Sequence, residues 1–159
     1  MTSAPQHPRL TLYLTSLAAL LLCAIPLPRA LALVRPDFLL LTVIWFALTM
    51  PRAGGLLFAF SAGLALDAFR GVVLGENALA FVAVSYLVHR FYLRMRMFPL
   101  SQQTLVVMLL LWIYQFLLFW IDGVTGHPVT DWARWLPVLS GALFWPVLAG
   151  LVGRFASRS

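Results

Sequence analysis

Two carboxylates in the most apolar part of the chain are the groups best placed to do chemistry. They are Asp67 and Glu76, within GGLLFAFSAGLALDAFRGVVLGENALAFVAVSYL, residues 54–87. A carboxylate in an apolar run is a functional-site candidate by default, and a pair can serve acid–base catalysis. The sequence supplies no nucleophile for such a pair. It has no readable Ser-His-Asp or Cys-His arrangement, no GxxxxGK[ST] loop and no GxGxxG. His7, His89 and His127 lie in three different polar segments without metal-ligand spacing. The lone cysteine, Cys23, excludes an intrachain disulfide and a Cys-rich metal site. The expectation is a protein that is not an enzyme and holds neither cofactor nor metal.

Binding chemistry is open to several of these residues. Asp67 near a helix end can reach headgroup water, pair with Arg70 three residues on, or anchor another subunit or a ligand at the membrane surface. Glu76-Asn77 can cap a helix N-terminus, where the macrodipole favours an acid. Arg35-Pro36-Asp37 reads as an interfacial turn or as a partner contact. Gln115, alone in an apolar run, suits a bond between helices.

The elements that carry these residues are membrane helices. The chain is 62% hydrophobic and only 10% charged, with mean hydropathy +0.94. A soluble domain has about half apolar and a quarter charged residues, so 1–159 reads as a single integral membrane domain. The net charge is +6 and all eleven basic residues are arginine. Standing between apolar runs, they point to topology and lipid headgroups and not to nucleic acid. Gly55, Ala59, Gly63 and Asp67 recur every fourth residue. That spacing predicts one helix face on which small residues let a second helix approach closely.

Six spans are predicted: 10–27, 36–50, 54–69, 77–91, 102–121 and 132–153. The first is too long for a signal-peptide core and reads as an uncleaved helix. The second, about 22 Å long at 1.5 Å per residue, is short for a hydrocarbon core of roughly 30 Å, which leaves three readings: protection by neighbours, extension back through ALALV, or a place where the bilayer thins. Ser101 is placed as the cap of the fifth. Trp120, Trp132 and Trp135 flank the last outer loop as belt residues, whereas Trp45, Trp112 and Trp145 are expected between helices. Six spans put both termini on one side with Arg9, Arg52, Arg90, Arg94, Arg96, Arg154 and Arg158. The other side takes Arg29, Arg35, Arg70, Arg134 and all five acids. Seven arginines against four place the termini in the cytoplasm by the positive-inside rule.

With these features in place, the chain resembles the MreD family of the bacterial rod-shape system. Arg35-Pro36-Asp37 at the start of an early span, Gly63–Asp67, and Leu74-Gly75-Glu76-Asn77-Ala78-Leu79 match its recurring segments in order, and Trp145-Pro146 matches a pair in its last span. The resemblance implies an all-α polytopic helix bundle, similar in fold to the substrate-binding component of energy-coupling-factor transporters. It also implies a non-enzymatic inner-membrane scaffold for lateral-wall peptidoglycan synthesis. The implied partners are an MreC-like bitopic protein and, indirectly, MreB, RodA and a class B penicillin-binding protein. Candidate contact residues are Arg35, Pro36, Asp37, Gly55, Ala59, Gly63, Asp67, Gly75, Glu76 and Asn77. The alternative is a small-molecule-binding subunit of a vitamin-uptake transporter; outer connections of about ten residues or fewer favour the scaffold.

Overall fold

The computed structural model describes residues 8–127 and 131–158, without the side chains of 8, 9, 152, 153 and 155–158. The expectations placed on His7 and the side chains of Arg9 and Arg158 fall outside it. The chain forms helices α1 (Pro8–Ala24), α2 (Arg29–Leu33), α3 (Phe38–Thr49), α4 (Leu56–Arg70), α5 (Glu76–Met97), α6 (Leu100–Thr125) and α7 (Leu136–Arg158). A 3-10 turn, Trp132–Trp135, precedes α7. The six longer helices are the bundle the hydropathy pattern predicts.

Among the described residues, three helical stretches are long and apolar enough to cross a membrane: Arg29–Thr49, Leu100–Thr125 and Trp132–Leu151. In the first, RALAL forms α2, with Val34 as its C-cap, and α2 with α3 supplies a 21-residue stretch where α3 alone has twelve. The chain pauses between them because Pro36 has no N–H to donate and disfavours helix at the residue before it.

Helix α3 is the centre of the bundle, with nine of its twelve residues buried. Helices α1, α5 and α7 pack around it, α4 lies against α5, and α6 bridges α5 and α7. Such all-round burial fits a sequence with no polar face, FLLLTVIWFALT. In α7, Trp145 is 0% exposed, tilts against Trp45 at 6.2 Å between centroids, and donates from Nε1 to Gln103 Oε1 at 3.3 Å. Trp112 departs from its expected interior place. It is 53% exposed and meets Trp135 with centroids 5.0 Å apart. Helix α6 begins at Leu100 behind Pro99, so Ser101 lies inside the first turn and does not cap it.

The small-residue stripe is real over its C-terminal part only. Ala59 is 0% exposed. A Cβ at Gly63 would stand 2.4 Å from Ala78 Cα and 2.6 Å from Ala78 N, so only glycine lets the start of α5 reach α4. Gly55 corrects the expectation: it sits ahead of α4 at the N-cap, and nothing lies within 4 Å of a Cβ there. Its neighbour Gly54 makes the close approach, with a Cβ position 2.6 Å from the Phe46 carbonyl carbon. The turn after α3 folds back onto α3 at that point. His89 ties α5 to the same turn: Nε2 lies 3.1 Å from the Pro51 carbonyl and Nδ1 2.7 Å from the Ser85 carbonyl.

Gly63→Ala forces α4 and α5 apart. It should cost about 1–3 kcal/mol, typical of overpacking. Gly55→Ala meets open space and should change stability by less than about 0.5 kcal/mol. Thermal unfolding of both variants in one detergent checks the contrast, and equal midpoints would contradict the close contact.

Candidate functional site

The polar residues gather at one end of the bundle, where the α1–α2 connection, the α2–α3 junction, the α4–α5 turn and the α6–α7 connection meet. The α4–α5 turn sets the geometry. Gly71 and Gly75 take positive φ, 65° and 102°, which lets the chain reverse within a few residues. Asp67 then works twice. Its main-chain carbonyl accepts from Gly71 N at 2.9 Å and Val72 N at 3.3 Å, closing α4. Its side chain accepts from Gly75 N at 2.9 Å, Asn77 N at 3.0 Å, Asn77 Nδ2 at 2.8 Å and Ala78 N at 3.4 Å, opening α5. A helix start leaves its first N–H groups without intrahelical partners. Gly75, at the N-cap, has no side chain to satisfy them, and Asp67 of the preceding helix does so.

Two readings of Asp67 are thereby corrected. It is 0% exposed, so it does not reach headgroup water. It does not pair with Arg70 either, because Arg70 forms an ion pair with Asp37 at the start of α3. Buried peptide N–H groups and the positive end of α5 hold the anion instead. Glu76 stands in the first turn of α5, and Gly75, not Glu76, is the N-cap. Asn77 extends the network: Tyr114 of α6 donates from its hydroxyl to Asn77 Oδ1 at 2.6 Å. That bond is the cross-helix link from α6 that had been expected from the adjacent Gln115, which is itself buried beside the cavity described next.

Above this network lies a cavity of about 480 Å³ walled by Arg35, Asp37, Arg70, Glu76, Asn77, Gln115, Asp122 and Arg134. Asp122 and Arg134 pair across the last connection, and the Arg134 guanidinium carbon lies 6.0 Å over the Phe119 ring. Arg35 donates from Nη1 to the Ile25 carbonyl at 2.9 Å. Glu76 is at the rim ahead of the spanning part of α5. Partial burial, then Asp122 and Asp67, push its carboxyl above the ordinary value, and Arg134 opposes them.

Of the ten candidate contact residues, the structure therefore brings Arg35, Asp37, Glu76 and Asn77 to one cavity. Gly75 and Asp67 lie in the turn beneath them. Pro36 is buried at the junction, and Ala59 and Gly63 are buried along α4. Gly55 is at the far end of α4, about 18 Å from Asp67 at 1.5 Å per residue. Arg70, Tyr114, Asp122 and Arg134 join the site without having been singled out for it. The charges of Asp122 and Arg134 on either side of one loop were the available signal; Tyr114 gave none. Among the described residues there is no cluster of three or more His, Cys, Asp or Glu side chains fit to hold a metal.

A family profile described as MreD, rod shape-determining protein MreD, matches residues 6–155. The chain is also similar to the rod shape-determining protein MreD of Haemophilus influenzae (strain ATCC 51907 / DSM 11121 / KW20 / Rd). The two are 27% identical over 121 residues, covering 76% of this chain and 75% of the relative. No solved structure matches significantly.

Removing the anchor should be costly. Asp67→Ala leaves the α5 amides and the Asn77 amide buried without their acceptor, and should lower stability by about 3 kcal/mol or more. Asp67→Asn keeps part of the acceptor set and should lose less. Tyr114→Phe should cost about 1 kcal/mol. Denaturation in detergent measures all three; an Asp67→Ala protein as stable as the parent would contradict the buried cap. Glu76 gives a pH test. Its raised folded pKa means that the ionised carboxylate opposes folding. Its favourable contribution is therefore full below the unfolded pKa and is lost as pH rises through the folded pKa. Glu76→Gln should be at least as stable as the parent at neutral pH and should flatten the parent's slope over the weakly acid range.

Proposed function

This chain belongs to the MreD family of rod shape-determining proteins, and from that we propose that it is a non-enzymatic scaffold of the cell-elongation complex in the inner membrane. The carrying observation is the family match, which runs through nearly all of the bundle. The fold gives the reading a physical form. Asp67, Asn77 and Tyr114 turn their polar groups onto one another. Large apolar side chains such as Leu57, Leu143 and Trp132 face outward, 86%, 76% and 87% exposed. In a bilayer, helix association depends on fit and on hydrogen bonds, so a pre-packed bundle offers partners fixed outer faces. The partly exposed Arg35, Asp37, Gly75 and Glu76 are the rim groups open to a periplasmic contact. Pro36, Ala59, Gly63, Asp67 and Asn77 support that rim from inside.

The partners are an MreC-like bitopic protein directly, and MreB, RodA and a class B penicillin-binding protein through the assembled complex. The bundle is multi-pass with both termini cytoplasmic, which puts the cavity end in the periplasm. Two measurements test this. Purification from crosslinked cells of a rod-shaped host should recover the MreC-like protein, and depletion should round the cells; recovery of none of the wall-elongation proteins would overturn the role. In a Cys23→Ala background, a cysteine at Met97 should be shielded from an impermeant maleimide in intact cells and one at Thr125 should label. The reverse pattern would overturn the orientation.

A further inference from the structure

The cavity at the rim holds more guanidinium donors than its own acceptors satisfy. Arg70 is taken up by Asp37, and Arg134 is half used, through one nitrogen, by Asp122. Arg35 is held by one nitrogen on the Ile25 carbonyl. The other terminal nitrogens, Arg35 Nη2 and Arg134 Nη1, are buried and have no hydrogen-bond partner among the described residues. A buried donor left unmade is unfavourable, and more so when it belongs to a charged group. Two such donors on residues that line one cavity form an unfinished anion site. Three arginines stand among three carboxylates, Asp37, Glu76 and Asp122, in the wall; Asp37 is taken by Arg70 and Asp122 by one nitrogen of Arg134, so neither satisfies the two free donors. The two guanidinium groups offer planar donor pairs, which suit the oxygens of a phosphate better than a point charge would. The cavity of about 480 Å³ has room for a phosphoryl group with a small substituent. It also lies at the end of the helices, which in the orientation proposed above is the headgroup level.

We propose that this rim cavity is a binding site for a phosphate group, with Arg35 and Arg134 as its two donors. An anionic lipid headgroup and a free phosphate share that chemistry. The test uses the full-length protein in an uncharged detergent and follows its unfolding midpoint while one probe is titrated. The probes are phosphatidylglycerol, inorganic phosphate, and diacylglycerol as the chain-only control. The midpoint should rise with phosphatidylglycerol or with inorganic phosphate and stay unchanged with diacylglycerol. A rise with phosphatidylglycerol alone identifies a lipid headgroup; a rise with inorganic phosphate as well identifies the phosphate itself. Arg35→Gln and Arg134→Gln should each weaken the response about tenfold or more, whereas Arg52→Gln, outside the cavity, should leave it unchanged. Arg35→Lys, which keeps the charge and loses the fork, should respond in between, and it serves in place of Arg35→Gln if that variant does not fold. The proposal falls if neither phosphate probe moves the midpoint or if diacylglycerol moves it as much. It falls equally if Arg52→Gln loses as much as the cavity variants, or if Arg35→Lys and Arg134→Gln both respond like the parent.

Discussion

The carboxylate of Asp67 is shut off from solvent, and a buried anion is tolerated only where donors surround it. Here the donors are the amides that begin the next helix, together with the Asn77 side chain. The rest of the rim follows from that arrangement. To bring the amides of Asn77 and Ala78 within reach of Asp67, α5 has to start almost in contact with the backbone of α4. Gly63, one helical turn before Asp67, is what permits it. To reverse the chain in so short a turn, Gly71 and Gly75 adopt positive φ. Asn77, fixed by Asp67, then presents its Oδ1 to Tyr114 and ties α6 into the same network.

This polar knot also decides what is left over. Because Asp67 is saturated by peptide groups, Arg70 turns to Asp37 and clamps the end of α4 to the start of α3. Arg134 and Asp122 close the opposite wall. The result is a charged cup seated on a dry helical core, in which α3 makes the centre because it has no polar face to expose. Removing either member of a buried polar network is more harmful than the pair itself is stabilising. Sequence change at Asp67 or Asn77 is for that reason expected to disturb the bundle before it disturbs any partner.

The helical membrane class was legible in composition, and the α4–α5 contact in the spacing of Ala59, Gly63 and Asp67. Gly55 shares the same spacing but falls at the helix N-cap, where the periodicity no longer describes a face. The partner of Asp67 was misjudged because local charge rules favour Arg70, three residues on, whereas a burial that no local pattern displays favours peptide N–H groups. The Arg70–Asp37 pair joins residues 33 apart, and the Tyr114–Asn77 bond residues 37 apart; nothing in sequence marks such distances. The short second span was legible as a problem; a further short helix, α2, stands ahead of it, but Arg35 and Asp37 interrupt the apolar run between the two.

The direct test of the central claim is amide hydrogen exchange at the start of α5 in the intact protein. With Asp67 as acceptor, the amides of Asn77 and Ala78 should exchange about ten- to a hundredfold more slowly than those of the exposed Val73 and Leu74, the range that corresponds to a charge-assisted hydrogen bond. Exchange at Asn77 and Ala78 as fast as at Leu74 would mean that the carboxylate does not hold the helix start, and the account of the rim built on it would be wrong.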